Sequence, residues 1–156
     1  MDLPERTEIR LPDPVYRVLG RPFSITIGTS PRTAVFSDID FGCECIELLR
    51  GLKDDTGTRV YAYCLMPDHV HLLLGVGPEM SLPNFVGRWK SLCAKARRAR
   101  MGDGHFWQRS FYDHAIRENR DILETATYIL QNPVEAGLVK DFHQYPLCGS
   151  MEFSNL

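Results

Sequence analysis

The chain has 156 residues and a net charge of −2, and 44% of its residues are hydrophobic while 24% are charged. This composition is typical of an ordinary globular protein, and no apolar run reaches the roughly 20 residues that a membrane helix needs. The charged, proline-rich start MDLPERTEIRLPDP contains no apolar signal-peptide core, so we expect a cytoplasmic protein with no membrane partner.

The first predicted elements are a strand and a helix. Residues 1–20 predict an irregular arm, and residues 21–29 alternate apolar and polar side chains as a strand does. Ser37 or Asp38 can cap the helix that follows, because both side chains can accept hydrogen bonds from N–H groups of the first turn. The apolar positions of this helix recur at helical spacing and include Phe41, Cys45, Leu48, Leu49 and Leu52.

A hairpin of two strands is predicted next. The polar residues 53–58 predict a loop, and residues 59–65 are rich in aromatic and β-prone side chains. A tight turn at residues 66–68 leads into another strand at residues 69–76. So short a connection implies that the two strands pair in antiparallel fashion.

The second predicted helix carries a concentration of bases. Ser81 can cap this helix, which extends from Leu82 to about Arg100. Residues 81–102 contain no acid and six bases, namely Arg88, Lys90, Lys95, Arg97, Arg98 and Arg100. A local excess of positive charge favours contact with a polyanion such as nucleic acid, although a solvated helix face would show the same pattern.

The last predicted elements are a strand at residues 111–117 and a helix from Asn119 to about residue 131, which an Asn-Pro pair then stops or kinks. The element order predicts an α+β fold, with a ferredoxin-like antiparallel sheet (β-α-β-β-α-β) followed by a C-terminal helix. We expect one domain over residues 1–156, with its core at about residues 21–145 and a weakly patterned second arm at residues 141–156.

Two histidines in the strand at residues 69–76 are candidates for a functional site. His69 and His71 point to one side of the strand, because strand side chains alternate between faces. The apolar residues between and after them can seal the other side against the helices, which leaves two imidazoles on the opposite surface. Neighbouring imidazoles can begin a metal site, although two polar surface residues would give the same pattern.

The last helix is the expected source of further site residues. Its apolar positions gather on one side and comprise Ile122, Leu123, Ala126, Ile129 and Leu130. Tyr128 and Asn132 lie outside that set and are four residues apart, so they are expected on one face. A core aromatic is the alternative for Tyr128. A helix that presents a phenol and an amide oxygen to the histidines would combine a nucleophile with a metal ligand.

Three segments together carry a resemblance to a known family: YCLMPDHVHLLL, FWQRSFYDHAIR and YILQNPVEAGLV. In this order and spacing they resemble the signatures of the single-tyrosine HUH transposases, and in particular the REP-associated tyrosine transposases of the insertion-sequence-200-like group. The resemblance covers roughly residues 21–145. It implies a DNA-associated enzyme of the bacterial cytoplasm that cuts and rejoins single-stranded DNA with a divalent metal ion, Mg²⁺ or Mn²⁺.

The resemblance also implies roles for individual residues. His69, His71 and Asn132 would bind the metal, and Tyr128 would attack the DNA to form a 5′-phosphotyrosine and free a 3′-OH. The implied partner is single-stranded or hairpin DNA, and the bases that would hold its phosphates are Arg88, Lys90, Lys95, Arg97 and Arg98. Phe106 and Trp107 are candidates for stacking on DNA bases, with core packing as the favoured interpretation. A monomer and a homodimer fit equally well.

Two other functions fit the same residues. One is a non-cleaving module that binds DNA or RNA hairpins, and the other is a metallohydrolase in which water, held by a metal on the two histidines, is the nucleophile. A covalent protein–DNA adduct that depends on Tyr128 would distinguish the transposase from both of them.

Overall fold

The computed structural model of the protein describes residues 20–29, 33–102, 104–109, 111–115 and 119–156. Residues 1–19 of the predicted N-terminal arm lie outside the described residues, as do residues 116–118 around the end of the predicted fourth strand.

The described residues form an antiparallel sheet from five strands: β1 Pro22–Gly28, β2 Arg59–Met66, β3 His69–Gly75, β4 Tyr112–Ala115 and β5 Cys148–Gly149. The strand order is β4-β1-β3-β2-β5, so β3 is central, and all its residues are buried. The order of the first four strands is that of a ferredoxin-like sheet, which confirms the predicted α+β fold.

The described helices are α1 Ile39–Thr56, α2 Leu82–Met101, α3 Asn119–Leu130 and the single-turn α4 Asn132–Glu135, with short 3-10 helices at Val35–Ser37 and Phe142–Gln144. Asp38 caps α1 as predicted, since its Oδ1 accepts a hydrogen bond from Phe41 N at 3.1 Å. Ser81 occupies the N-cap position of α2, but its side chain makes no capping hydrogen bond. None of the helices in the described ranges is long and apolar enough to cross a membrane.

The helices cover both faces of the sheet. Tyr63 of β2 lies within electrostatic reach of Arg50 on α1 and is paired directly with Leu72 of β3, so these strand residues face α1. Cys64 points to the opposite face because strand side chains alternate, and Tyr145, from the segment after α4, lies beside it. Helix α3 packs across β2 and β3, and we place it on this second face.

Helix α2 packs on α1, where Trp89 Nε1 donates a hydrogen bond to Cys45 O at 2.9 Å.

The predicted loop at residues 53–58 is wrong, because α1 continues through Thr56. The helix ends where Gly57 adopts a left-handed φ of +70° and its N–H donates to Lys53 O at 2.9 Å. Asp54 and Asp55 occupy the exposed side of the last turn. A polar turn on a solvated helix side has the same composition as a loop, which explains the error.

The C-terminal segment is also better ordered than the predicted arm at residues 141–156. Cys148 and Gly149 form β5 at the edge of the sheet, and Leu147 is fully buried. Leu147 fills the space above Gly42 of α1, where a Cβ would collide with its side chain. This segment therefore belongs to the packed structure.

Gly57, which follows the last residue of α1, and Gly51 within α1 should respond to alanine with opposite signs. Gly57→Ala is expected to destabilise the protein by about 1 kcal/mol or more, because its φ of +70° strains any side chain and a Cβ would press on Pro78. Gly51 is the matched control, exposed within α1 with open space around it, so Gly51→Ala should stabilise by up to about 1 kcal/mol. Chemical denaturation measures both changes, and a stable Gly57→Ala variant would contradict this account of the helix end.

Candidate active site

His69 and His71 lie side by side on β3, with ring centroids 4.9 Å apart and perpendicular ring planes. The prediction that they share a face is confirmed. Both are buried, however, with 6% and 7% of their surface exposed, so the predicted open surface is wrong. Helix α3 packs across β2 and β3, and we place it over the face to which these imidazoles point.

The Nδ1 atom of each imidazole has a polar partner. Asp68 Oδ1 lies 2.8 Å from His69 Nδ1, and Thr26 Oγ1 lies 3.2 Å from His71 Nδ1. An ionised carboxylate can only accept, so His69 donates through Nδ1 and keeps a lone pair on Nε2. His71 Nε2 is buried and makes no hydrogen bond within the described part of the protein. Imidazoles that are fixed through one nitrogen and open at the other are typical of metal ligands.

The environment of His71 keeps its imidazole neutral. Burial, and to a smaller extent the neighbouring His69, lower the pKa of His71 to about 4. A proton on His71 would sit in a poorly hydrated position beside a second imidazole. At neutral pH one ring nitrogen of His71 therefore carries a lone pair.

Tyr128 lies on the outer side of α3 and is 56% exposed. The buried side of this helix is formed by Ile122, Ala126, Ile129 and Leu130. Tyr128 is outside the apolar side, as the sequence predicted, and it is not a core aromatic. Leu123 was assigned to the apolar side but is 50% exposed, because the buried part of the helix surface is narrower than the helical spacing predicted.

Asn132 lies at the break between α3 and α4 and is 4% exposed. Its Nδ2 donates to Tyr128 O at 3.3 Å and to Ile129 O at 3.1 Å. Both partners are carbonyl oxygens, so these bonds use the amide nitrogen and leave the amide oxygen for another donor or a cation. The surroundings of Tyr128 and Asn132 differ despite their spacing of four, because α3 ends at Leu130 and the chain turns inward.

The histidine pair lacks a third ligand of the usual charged or sulfur type. Among the described residues, no group of three or more His, Cys, Asp or Glu side chains is arranged to hold a metal ion. A metal at this position would need a further ligand of another kind, such as an amide oxygen, a water molecule or a phosphate oxygen.

The five predicted DNA-binding bases of α2 divide into two groups. Arg88, Lys95 and Arg98 are exposed. Lys90 and Arg97 are partly buried and engaged within the protein. Lys90 Nζ donates to Gln108 O at 2.7 Å, and the Arg97 guanidinium lies 5.5 Å from the ring centroid of Phe106. All five belong to the helix layer opposite the histidine pair.

Phe106 and Trp107 are core residues, each 3% exposed. Their rings pack together at 4.6 Å between centroids, and Trp107 Nε1 donates to Lys90 O at 3.0 Å. The favoured prediction of core packing is confirmed, and neither ring offers a surface for stacking on DNA bases.

Thr26 and Asp68 were missed by the sequence analysis. Asp68 directly precedes the first histidine, and that adjacency is a signal that could have identified it. Thr26 reaches His71 only because β1 and β3 pair in the register that sets these two residues opposite each other. No local pattern in the sequence specifies that register.

The buried His71 should make the metal-free protein less stable in acid. Below about pH 6.5 the unfolded chain binds a proton at this residue, whereas the folded protein does so only near pH 4, so stability falls as pH decreases through this window. The stability of the wild type relative to His71→Gln should drop by on the order of 2 kcal/mol between pH 7 and pH 4.5. Urea denaturation with a chelator present measures this difference. The exposed His105→Gln variant is the control, and the stability of the wild type relative to it should not drop in this way. An equal drop relative to both variants would refute the assignment of the pH dependence to His71.

Comparison with known proteins places this fold and site in a family. The sequence model described as "Transposase IS200 like" matches residues 23–132. The REP-associated tyrosine transposase of Escherichia coli (strain K12) is 32% identical over 95 residues, which cover 61% of this chain and 56% of that protein. The ISDra2 transposase TnpA of Deinococcus radiodurans is 30% identical over 80 residues, which cover 47% of this chain and 57% of that protein. The matches thus span little more than half the length of these relatives.

The fold agrees with this assignment. A solved structure of a REP-associated tyrosine transposase bound to a REP hairpin superposes with a TM-score of 0.67, covering 92% of this chain and 82% of that one at 21% identity. The family match contains most of the described sheet, both histidines and the residues of α3. The chain therefore belongs to the IS200-like transposase family.

Proposed function

We propose that this chain is a metal-dependent transposase that cleaves and rejoins single-stranded DNA through Tyr128. The observation that carries the proposal is the histidine pair, in which His71 Nε2 is buried with no hydrogen-bond partner among the described residues, beside an imidazole held by Asp68. Membership of the IS200-like family supports a transposase, and the REP hairpin in the structure of a relative supports DNA as the substrate.

The residues at the histidine pair fit a divalent cation. His69 and His71 would hold the ion through Nε2, and the amide oxygen of Asn132 would be the further protein ligand. Such an ion, when bound, acts as a Lewis acid on an oxygen of the scissile phosphate. Either Mg²⁺ or Mn²⁺ would serve, and imidazole ligands favour Mn²⁺ over Mg²⁺.

Tyr128 would act as the nucleophile on the phosphorus. Its hydroxyl oxygen attacks in line and loses its proton, the bond from phosphorus to the 3′ oxygen breaks, and the leaving oxygen takes up a proton to become a 3′-OH. The 5′ side of the DNA is then linked to Tyr128 as a phosphodiester. Because this linkage replaces one phosphodiester by another, a second 3′-OH can reverse the step without a nucleotide cofactor. The exposure of Tyr128 supports the approach of a DNA strand.

The basic helix would contact a different part of the DNA from the cleaved phosphate. Arg88, Lys95 and Arg98 are exposed on α2, which belongs to the layer opposite the histidine pair. We expect these side chains to hold backbone phosphates of a hairpin stem while the single-stranded flank reaches the other face. Lys90 and Arg97, which are partly buried, would contribute less.

Tyr128→Phe should abolish covalent attachment to DNA and slow cleavage by more than about 1,000-fold, because the variant lacks the attacking oxygen. The protein is incubated with an end-labelled hairpin that carries a single-stranded flank, in Mn²⁺ or Mg²⁺, and then denatured and separated on a gel. The wild type should give a covalent band that a chelator removes.

Tyr61→Phe is the matched control, since it removes a phenol oxygen near the end of β2 that lies away from the histidine pair. This variant should form the adduct as the wild type does. Cleavage that survives in Tyr128→Phe would instead indicate a metallohydrolase with water as nucleophile. Hairpin binding without cleavage or adduct in the wild type would indicate a non-cleaving module.

Combined replacement of Arg88, Lys95 and Arg98 by alanine should weaken hairpin binding by about 10-fold or more near 0.15 M salt and reduce the salt dependence of binding. At saturating DNA the yield of covalent adduct should be retained, because these residues are remote from the histidine pair. Arg50→Ala removes an exposed base from α1 and is the control for a general loss of charge. Unchanged affinity in the triple variant would refute the role of α2.

A further inference from the structure

Two cysteines lie opposite each other on neighbouring strands, Cys64 on β2 and Cys148 on β5. We propose that they form a redox-reactive modification site, which a low-molecular-weight disulfide such as oxidised glutathione converts into a cross-strand disulfide. This inference is independent of the proposed nuclease chemistry. It rests on the strand register, on the contact between the two thiols and on the different exposure of the two sulfur atoms.

The strand register brings the two residues close enough for a disulfide. Leu65 N donates to Leu147 O at 2.8 Å, so Leu65 and Leu147 form a hydrogen-bonded pair across the strands. Hydrogen-bonded and non-hydrogen-bonded pairs alternate along antiparallel strands, so the next pair, Cys64 and Cys148, is of the non-hydrogen-bonded type. Cα atoms at such a position are about 4.5 Å apart, within the range of roughly 4.4 to 6.8 Å found across disulfides. Cys64 and Cys148 are direct partners across the two strands, so both side chains point to the same face, and the Cys148 thiol donates to Phe142 O and Tyr145 O at 3.4 and 3.6 Å.

The exposure of the two sulfurs sets the order of reaction. Cys64 is fully buried, whereas Cys148 is only partly buried and is the thiol that a dissolved oxidant can reach. Interaction with the neighbouring Cys64 thiol lowers the pKa of Cys148, although burial opposes this effect. Cys148 is therefore the first thiol to react.

The reaction proceeds by two exchanges with balanced atoms and electrons. Cys148 attacks one sulfur of the small disulfide, forms a mixed disulfide and releases one small thiol, which takes the proton of Cys148. Cys64 then attacks the sulfur of Cys148, and the second small thiol leaves with the proton of Cys64. The two cysteine thiols are oxidised by two electrons, and the small disulfide is reduced to two thiols.

A second thiol pair in the protein provides an internal control. Cys45 on α1 and Cys93 on α2 lie within interaction distance of each other, and both are fully buried. No dissolved disulfide can reach either sulfur without opening the core. Cys43 is exposed on α1, so a dissolved disulfide can also form a mixed disulfide there.

The proposed bond would anchor the C-terminal segment to the sheet. The described β5 is only two residues long, so its pairing with β2 is short. Cys64 is also paired directly with His71 on its other side. Oxidation would therefore anchor β5 at the edge of the sheet, where only β2 separates it from the strand that carries the histidine pair.

The test exposes the folded full-length chain to glutathione buffers of increasing oxidised fraction and then labels the remaining thiols with a maleimide in denaturant. Mass spectrometry of peptides should show that Cys64 and Cys148 escape the label and together lose about 2 Da, while exposed Cys43 either takes the label or carries the small thiol. Peptide mapping without reductant should identify the bridge as Cys64–Cys148. The oxidised protein should unfold at a higher denaturant concentration than the reduced one.

Variants distinguish the proposed bridge from other oxidation. Cys64→Ser should stop at a mixed disulfide on Cys148, and Cys45→Ser should form the bridge as the wild type does. The proposal is overturned if the wild type keeps all five thiols, if it stops at mixed disulfides, or if the bridge joins Cys45 to Cys93. An oxidised form less stable than the reduced form would overturn the geometric basis of the proposal.

Discussion

The burial of both faces of β3 is the constraint on which the rest of the structure depends. One face of this central strand carries leucine and valine side chains toward α1, and the other presents the two histidines beneath α3. A shift of one residue in the pairing of β3 would exchange these two sets, because strand side chains alternate. The imidazoles would then lie in the apolar core. The leucine and valine side chains would lie on the face where Asp68 and Thr26 now contact the imidazoles.

The pairing of β1 with β3 also determines how well the histidines are oriented. Asp68 comes from the turn before β3, whereas Thr26 comes from the neighbouring strand and meets His71 through the sheet register. The two imidazoles are therefore held by separate elements that are fixed in different ways. A local change in the turn would disturb His69 first, and a change in strand pairing would disturb His71 first.

The fold was largely predictable from the sequence where the pattern is local, as in the hairpin of β2 and β3 and the capping of α1 by Asp38. Prediction failed where structure depends on distant contacts. Cys148 and Gly149 form a strand only because the edge of β2 is free to pair with them, and the burial of His69 follows from the packing of α3. The histidine pair itself was visible as alternate residues of one strand, but Thr26 required the sheet register.

The placement of α2 and α3 on opposite faces has an electrostatic consequence. The exposed bases of α2 are separated from the histidines by the helix layer and the sheet. Because these bases face solvent, dissolved ions screen their charges over a Debye length of about 8 Å at physiological ionic strength. Substitutions on the outside of α2 can therefore alter the attraction of a polyanion while hardly changing the protonation of His71. The charge of the α2 surface and the state of the imidazoles can therefore vary independently.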